Sequence, residues 1–231
     1  MPRFPQKAYK NLDFLNSPAA RHIRILCEYE EARQRFLRED IQDTIVMFGS
    51  ARTKSSDEAR EMLTQAKATL AQDPLDGDAE MALRKAEIAV RMSRYYDECR
   101  ELSRRLTEWS MARADQRQFV VTSGGGPGIM EAANRGAADA DGRSIGLGIS
   151  LPFEAGVNDY VTPGLDFEFH YFFTRKLWFL YLCKALVIFP GGFGTMDELF
   201  ESLTLVQTGK VKRKLPIVLY GTEYWLSLIH I

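Results

Sequence analysis

The 231 residues hold only three cysteines, Cys27, Cys99 and Cys183, and no two of them stand in a CxxC spacing. An odd, scattered count argues against a disulfide framework and against a zinc site, so no metal is expected and a reducing, cytoplasmic setting is. Net charge is also lacking: 30 basic residues against 31 acidic ones leave a formal charge of -1. No global basic field recruits nucleic acid or an anionic membrane surface. Any phosphate chemistry must therefore be local. The opening MPRFPQKAYKNLDF has no apolar h-region, and an ordinary signal peptide is not expected. The most apolar run, Phe167 to Phe189, is interrupted by Arg175, Lys176 and Lys184; this argues against a membrane span and for aromatic core packing. Internal repeats and low-complexity tracts are absent.

What is present reads as alternating strands and helices. Ser17-Pro18 has the form of an N-cap followed by proline at the first helical position, and a helical period continues to about Glu39. The apolar run Thr44 to Phe48, closed by Gly49-Ser50, reads as a buried parallel strand entering a turn. A long charged segment between Ser56 and Asp115, broken at QDPLDGD, predicts two helices. In the second, Met92, Tyr95, Tyr96, Cys99, Leu102, Leu106 and Trp109 fall on one stripe. From Phe119 onward, strand, turn and helix alternate through FVVTSGGGPGIMEAANRGAADA, RSIGLGISLP, KALVIFPGGFGTMDELFESLTLVQ and LPIVLYG. This predicts an α/β fold with a doubly wound parallel sheet, whose ligands bind at the carboxyl ends of its strands. Residues 1–40 are assigned to an N-terminal helical extension and 41–225 to the main domain, with 56–115 as a helical insertion. The last six residues, LSLIHI, match the translation of a sequencing-library adapter. They are read as a non-native tail, 226–231, on a truncated gene.

Two glycine-rich turns lie where such a sheet binds ligands. Gly124, Gly125, Gly126 and Gly128 separate a strand from a helix, which suits a phosphate-type cradle of backbone N–H groups at a positive helix end. The spacing is not GxGxxG, and no acid follows the next strand to hold a ribose diol, which disfavours a dinucleotide. The second turn, FPGGFGTMDELFE, places Gly191, Gly192, Gly194 and Thr195 at the start of a helix. It carries no GK[ST], so no lysine reaches a β/γ-phosphate and a monophosphate fits better. Asp197 and Glu201 share one helical face, whereas Glu198 is placed to face the cleft. His170 reads as a packed or supporting residue and Lys176 as a structural or peripheral phosphate contact, not a Schiff-base former.

The combination of GGGPGIM, FFTRK and PGGFGTMDE resembles the Lonely Guy (LOG) family of phosphoribohydrolases, once labelled lysine decarboxylases, from about Thr44 to Tyr224. The N-terminal helix and the helical insertion resemble longer bacterial members. The resemblance implies a Rossmann-like fold, a homodimer or larger homo-oligomer, no cofactor, and hydrolysis of a nucleoside 5'-monophosphate such as AMP or a cytokinin ribotide to free base and ribose 5-phosphate. It implies Arg175 and Glu198 as catalytic residues. It also implies Ser50, Gly191, Gly192, Gly194 and Thr195 as substrate-binding residues, beside the glycines of the first cradle. Where compact members continue with a second serine after Ser50, this chain has Ala51-Arg52. The rival reading is a non-catalytic nucleotide or molybdenum-cofactor carrier of similar fold, which needs the cradles but not the acid–arginine pair.

Overall fold

The computed structural model describes residues 4–114, 117–151 and 156–229. Among the described residues six strands form one sheet: β1 (Thr44–Phe48), β2 (Val120–Ser123), β3 (Ser144–Ile149), β4 (Asp166–Phe169), β5 (Cys183–Ile188) and β6 (Ile217–Leu219). Their order is β4-β3-β2-β1-β5-β6, and every neighbouring pair is parallel. The chain winds outward from β1 to β4, returns to lay β5 on the other side of β1, and ends at β6. This is the expected Rossmann-like α/β arrangement.

Alternation along the strands explains why both faces are covered. Val46 and Phe48 enter one core while Ile45 and Met47 enter the other, and in β5 Leu186 and Ile188 oppose Val187 in the same way. The first core is closed by helices α2 (Arg21–Arg38), α6 (Phe172–Tyr181) and α7 (Phe193–Gln207), through Phe36, Trp178, Phe179 and Leu199. The second is closed by α4 (Gly77–Ala114) and α5 (Ile129–Asp139), through Tyr95, Tyr96, Cys99 and the alanines of α5. Helix α3 (Ser56–Gln72) packs on the outside of α4 behind a capping box of Ser55 and Glu58. Helices α3 and α4 occupy the segment expected to hold two helices, with the break at residues 73–76. Of the expected buried stripe, Tyr95, Tyr96 and Cys99 are fully buried, whereas Trp109 is exposed and rests against Phe119 with ring centroids 4.9 Å apart.

The structure adds three local findings. Ser17 does not cap through its side chain; Pro18 opens a single 3-10 turn and α2 begins after it, at Arg21. A short helix α1 (Leu12–Asn16) precedes that turn, capped by Asn11. Strand β4 lies in the aromatic run assigned to core packing alone, and only Phe167 and Phe169 of its four residues are buried. The final helix α8 (Thr222–Ile229) runs through Leu226 without a break, with Trp225 in the first core, and residues 230–231 of the proposed tail lie outside the described residues.

Candidate functional site

The winding direction reverses between β1 and β5, and the crevice outside their carboxyl ends is the site such sheets offer a ligand. The turns that follow β1, β2 and β5 are tied together there by backbone bonds. Ser50 N–H donates to the Pro190 carbonyl at 3.0 Å, and Ile129 N–H, at the head of α5, donates to the Ser50 carbonyl at 3.0 Å. Ser50 is thus a junction between both glycine turns. Its hydroxyl accepts from Arg52 N–H at 3.1 Å.

The first glycine turn is held from beneath by a buried polar network. Ser123 Oγ donates to Asn134 Oδ1 at 2.7 Å and accepts from Gly125 N–H at 3.0 Å. Asn158 Nδ2 donates to the carbonyls of Gly125 and Gly126, at 2.8 and 3.1 Å, and to Asn134 Oδ1 at 3.0 Å. The Gly125 amide is therefore engaged by Ser123, so that glycine contributes the shape of the turn, at φ +74°, in place of a donor.

Arg175 projects from the first turn of α6 to this loop. Its Nε donates to the Leu147 carbonyl at 2.6 Å, and its guanidinium lies 5.0 Å from the Phe179 ring centroid. A Cβ on Gly124 would stand 2.6 Å from Nη2 of Arg175, so the bare backbone of the turn is what admits the guanidinium. Sequence-predicted Arg175 and Gly124 are thereby neighbours.

The second turn leads into α7. Gly191 is forced by its own helix: a Cβ there would stand 2.1 Å from Oγ1 of the buried Thr195. The Gly191 carbonyl accepts from Tyr224 Oη at 2.5 Å, so α8 fastens this turn from below. Gly192 and Gly194 are exposed. One turn along, Glu198 is largely buried. Burial pushes its carboxyl up to about 7; Arg175 and Lys176 oppose that shift by their charge, and Asp197 and Glu201 add to it. Asp197 and Glu201 themselves grip Lys176, at 2.8 and 2.7 Å. Burial alone would lower the Lys176 ammonium, but these carboxylates more than offset it and hold it raised. Lys176 is thus a fixed positive group, consistent with its structural reading and unsuited to a neutral amine nucleophile.

Residues 130–231 match the family model described as possible lysine decarboxylase. That match covers rather less than half of the chain. The matched stretch holds Arg175, the second glycine turn and Glu198; it begins just after the first glycine turn and does not include Ser50. Comparison with curated proteins gives no match. Among solved structures, the structural-genomics target TM1055 is similar at 20% identity and TM-score 0.42, over 81% of this chain and 98% of that one. The Moco carrier protein from Chlamydomonas reinhardtii is similar at 16% identity and TM-score 0.35, over 76% of each chain.

Two residues around the site escaped the reading of the sequence. Asn158 and Tyr224 reach it only through tertiary contacts, and no spacing along the chain could have pointed to them. Among the described residues no group of three or more His, Cys, Asp or Glu could hold a metal ion, and no helix is long and apolar enough to cross a membrane. Burial pushes the Cys183 thiol up to about 12, which leaves it inert.

Proposed function

We propose that this chain hydrolyses the N-glycosidic bond of nucleoside 5'-monophosphates. The observation that carries the reading is Glu198, a carboxyl held near neutrality by burial, within the fields of Arg175 and Lys176 and one turn beyond a glycine-rich helix start. In this reading Gly191, Gly192, Gly194 and Thr195 seat the single phosphate at the head of α7, with Gly124, Gly126 and the Ser50 junction on the opposite wall. The C1'–N bond breaks as positive charge develops on the ribose. Ionised Glu198 stabilises that charge and takes a proton from the attacking water, whose oxygen bonds to C1'. Arg175 stays protonated and stabilises the negative charge of the departing base, which takes a proton from solvent to become the free base while Glu198 gives its proton back to solvent. A carboxyl that titrates near 7 is suited to accepting a proton at neutral pH.

A nucleotide carrier would need both glycine turns but not a buried acid in the field of an arginine. Incubation with AMP and other monophosphates, followed by chromatography for free base and ribose 5-phosphate, separates the two. Retained binding with no base released from any monophosphate would refute the hydrolase reading. The reading includes self-association, for which exposed apolar side chains stand available in two rows, Phe173, Leu177 and Tyr181 on α6 and Phe200, Leu203 and Val206 on α7.

A further inference from the structure

We propose that Glu28, on the N-terminal helix, is a positioning residue for Arg175; this inference rests on the hydrolase reading above. Helix α6 begins after Tyr171, which supplies no side-chain cap. The first N–H groups of a helix lack intrahelical partners and carry partial positive charge. A carboxylate from another element instead grips the two residues just ahead of the helix and one side chain of its first turn. Glu28 accepts from His170 N–H at 2.8 Å, from Tyr171 N–H at 3.3 Å and from Thr174 Oγ1 at 2.6 Å.

Thr174 adjoins Arg175, and the Arg175 N–H itself donates to the Tyr171 carbonyl at 3.3 Å. The carboxylate therefore holds both ends of the single helical turn from which the guanidinium projects. On the far side that guanidinium is fixed by the Leu147 carbonyl. Arg175 is clamped between β3 and a turn that α2 holds. The docking of α2 makes this hold firm. Phe36 and Tyr29 pack on Trp178 of α6, with centroids 5.3 and 5.5 Å apart, and Phe36 stacks on Phe167 of β4 at 4.8 Å. The extension thus does more than cover the sheet. It sets the head of the helix that delivers the arginine.

Two variants of the full chain test this, Glu28→Ala and Glu28→Gln, measured by steady-state hydrolysis of a monophosphate and by amide exchange over residues 170–176. Glu28→Ala is expected to lower kcat on the order of tenfold, because small displacements of a charge-stabilising group are costly. KM should stay within about twofold, since the loss falls on the transition state. Exchange over the head of α6 should quicken while the rest of the sheet is unchanged. Glu28→Gln keeps one carbonyl acceptor and should recover part of kcat, an outcome that a general loss of folding would not give; it also serves if the alanine variant fails to fold. An unchanged kcat, or exchange at 170–176 indistinguishable from wild type, overturns the assignment of Glu28 while leaving the hydrolase reading intact. A wild-type chain that releases no base from any monophosphate overturns that reading, and the proposal falls with it.

Discussion

Replacing Glu198 by glutamine removes an ionisation that the folded chain resists. The carboxyl sits at about 7 against an ordinary 4.5, which at ~1.36 kcal/mol per pH unit is a destabilisation of ~3 kcal/mol once the group is charged. The sign follows from proton counting. Below about pH 4.5 the folded and unfolded chains both hold the proton and nothing is lost. Between that pH and about 7 only the folded chain holds it, so stability falls as pH rises; above about 7 the loss is complete. Glutamine is similar in size and cannot ionise, so Glu198→Gln should escape the whole effect. Thermal unfolding should show the variant within ~1 kcal/mol of wild type at about pH 5 and ~3 kcal/mol more stable at about pH 8. For a chain of this size that corresponds to a midpoint roughly 6–12 °C higher. The same variant should lose turnover of a monophosphate while still binding it. If the two proteins show the same dependence of stability on pH, Glu198 is not held near neutrality by burial, and the central argument for its role collapses.

The rate itself should rise with pH through about 7 as Glu198 ionises, and Lys176→Met, by removing a cation that favours the ionised form, should move that rise to higher pH; an unmoved profile means another group governs it. Gly191→Ala sets a methyl group against Thr195, and should weaken monophosphate binding by ten- to a hundredfold, a change of ~1.4–3 kcal/mol in calorimetry; unaltered affinity would remove the second glycine turn from the site. Tyr224→Phe deletes the hydroxyl that holds the Gly191 carbonyl, and is expected to cost ~1 kcal/mol of stability in urea unfolding with a raised KM for the monophosphate, whereas an unchanged KM would mean the turn keeps its shape without it.

The parts of the fold that could be read along the chain are those where the signal is local. The runs Ile45 to Phe48 and Ala185 to Phe189 are continuously apolar because both of their faces are covered, and each leads into a glycine that marks the turn. The two turns and Glu198 were legible for the same reason, since their residue types and spacing stand next to one another. Strand β4 was not: four residues with two buried aromatics look the same as any aromatic patch, and its pairing with β3 is fixed only once the sheet exists. Asn158 and Glu28 were invisible because their partners lie far away in sequence. A carboxylate on the half-exposed face of a charged helix carries no sign that it braces the entry to another one. Even the Lys176 clamp was half legible: Asp197 and Glu201 could be placed on one face, but not the lysine they face.

The pairing of β1 with β5 also bears on how the chain assembles. Thr44 lies beside Cys183, so one neighbour of the central strand is delivered only after more than half of the protein has been made. Helices α3 and α4, by contrast, meet through short-range contacts and can form early. During synthesis the edge of β1 that later takes β5 stands open while β2, β3 and β4 are laid down on the other side, a period when an unpaired apolar strand is exposed to aggregation. The crevice at the switch point exists only once β5 has paired with β1, so on the hydrolase reading the appearance of monophosphate binding in a refolding experiment reports that pairing.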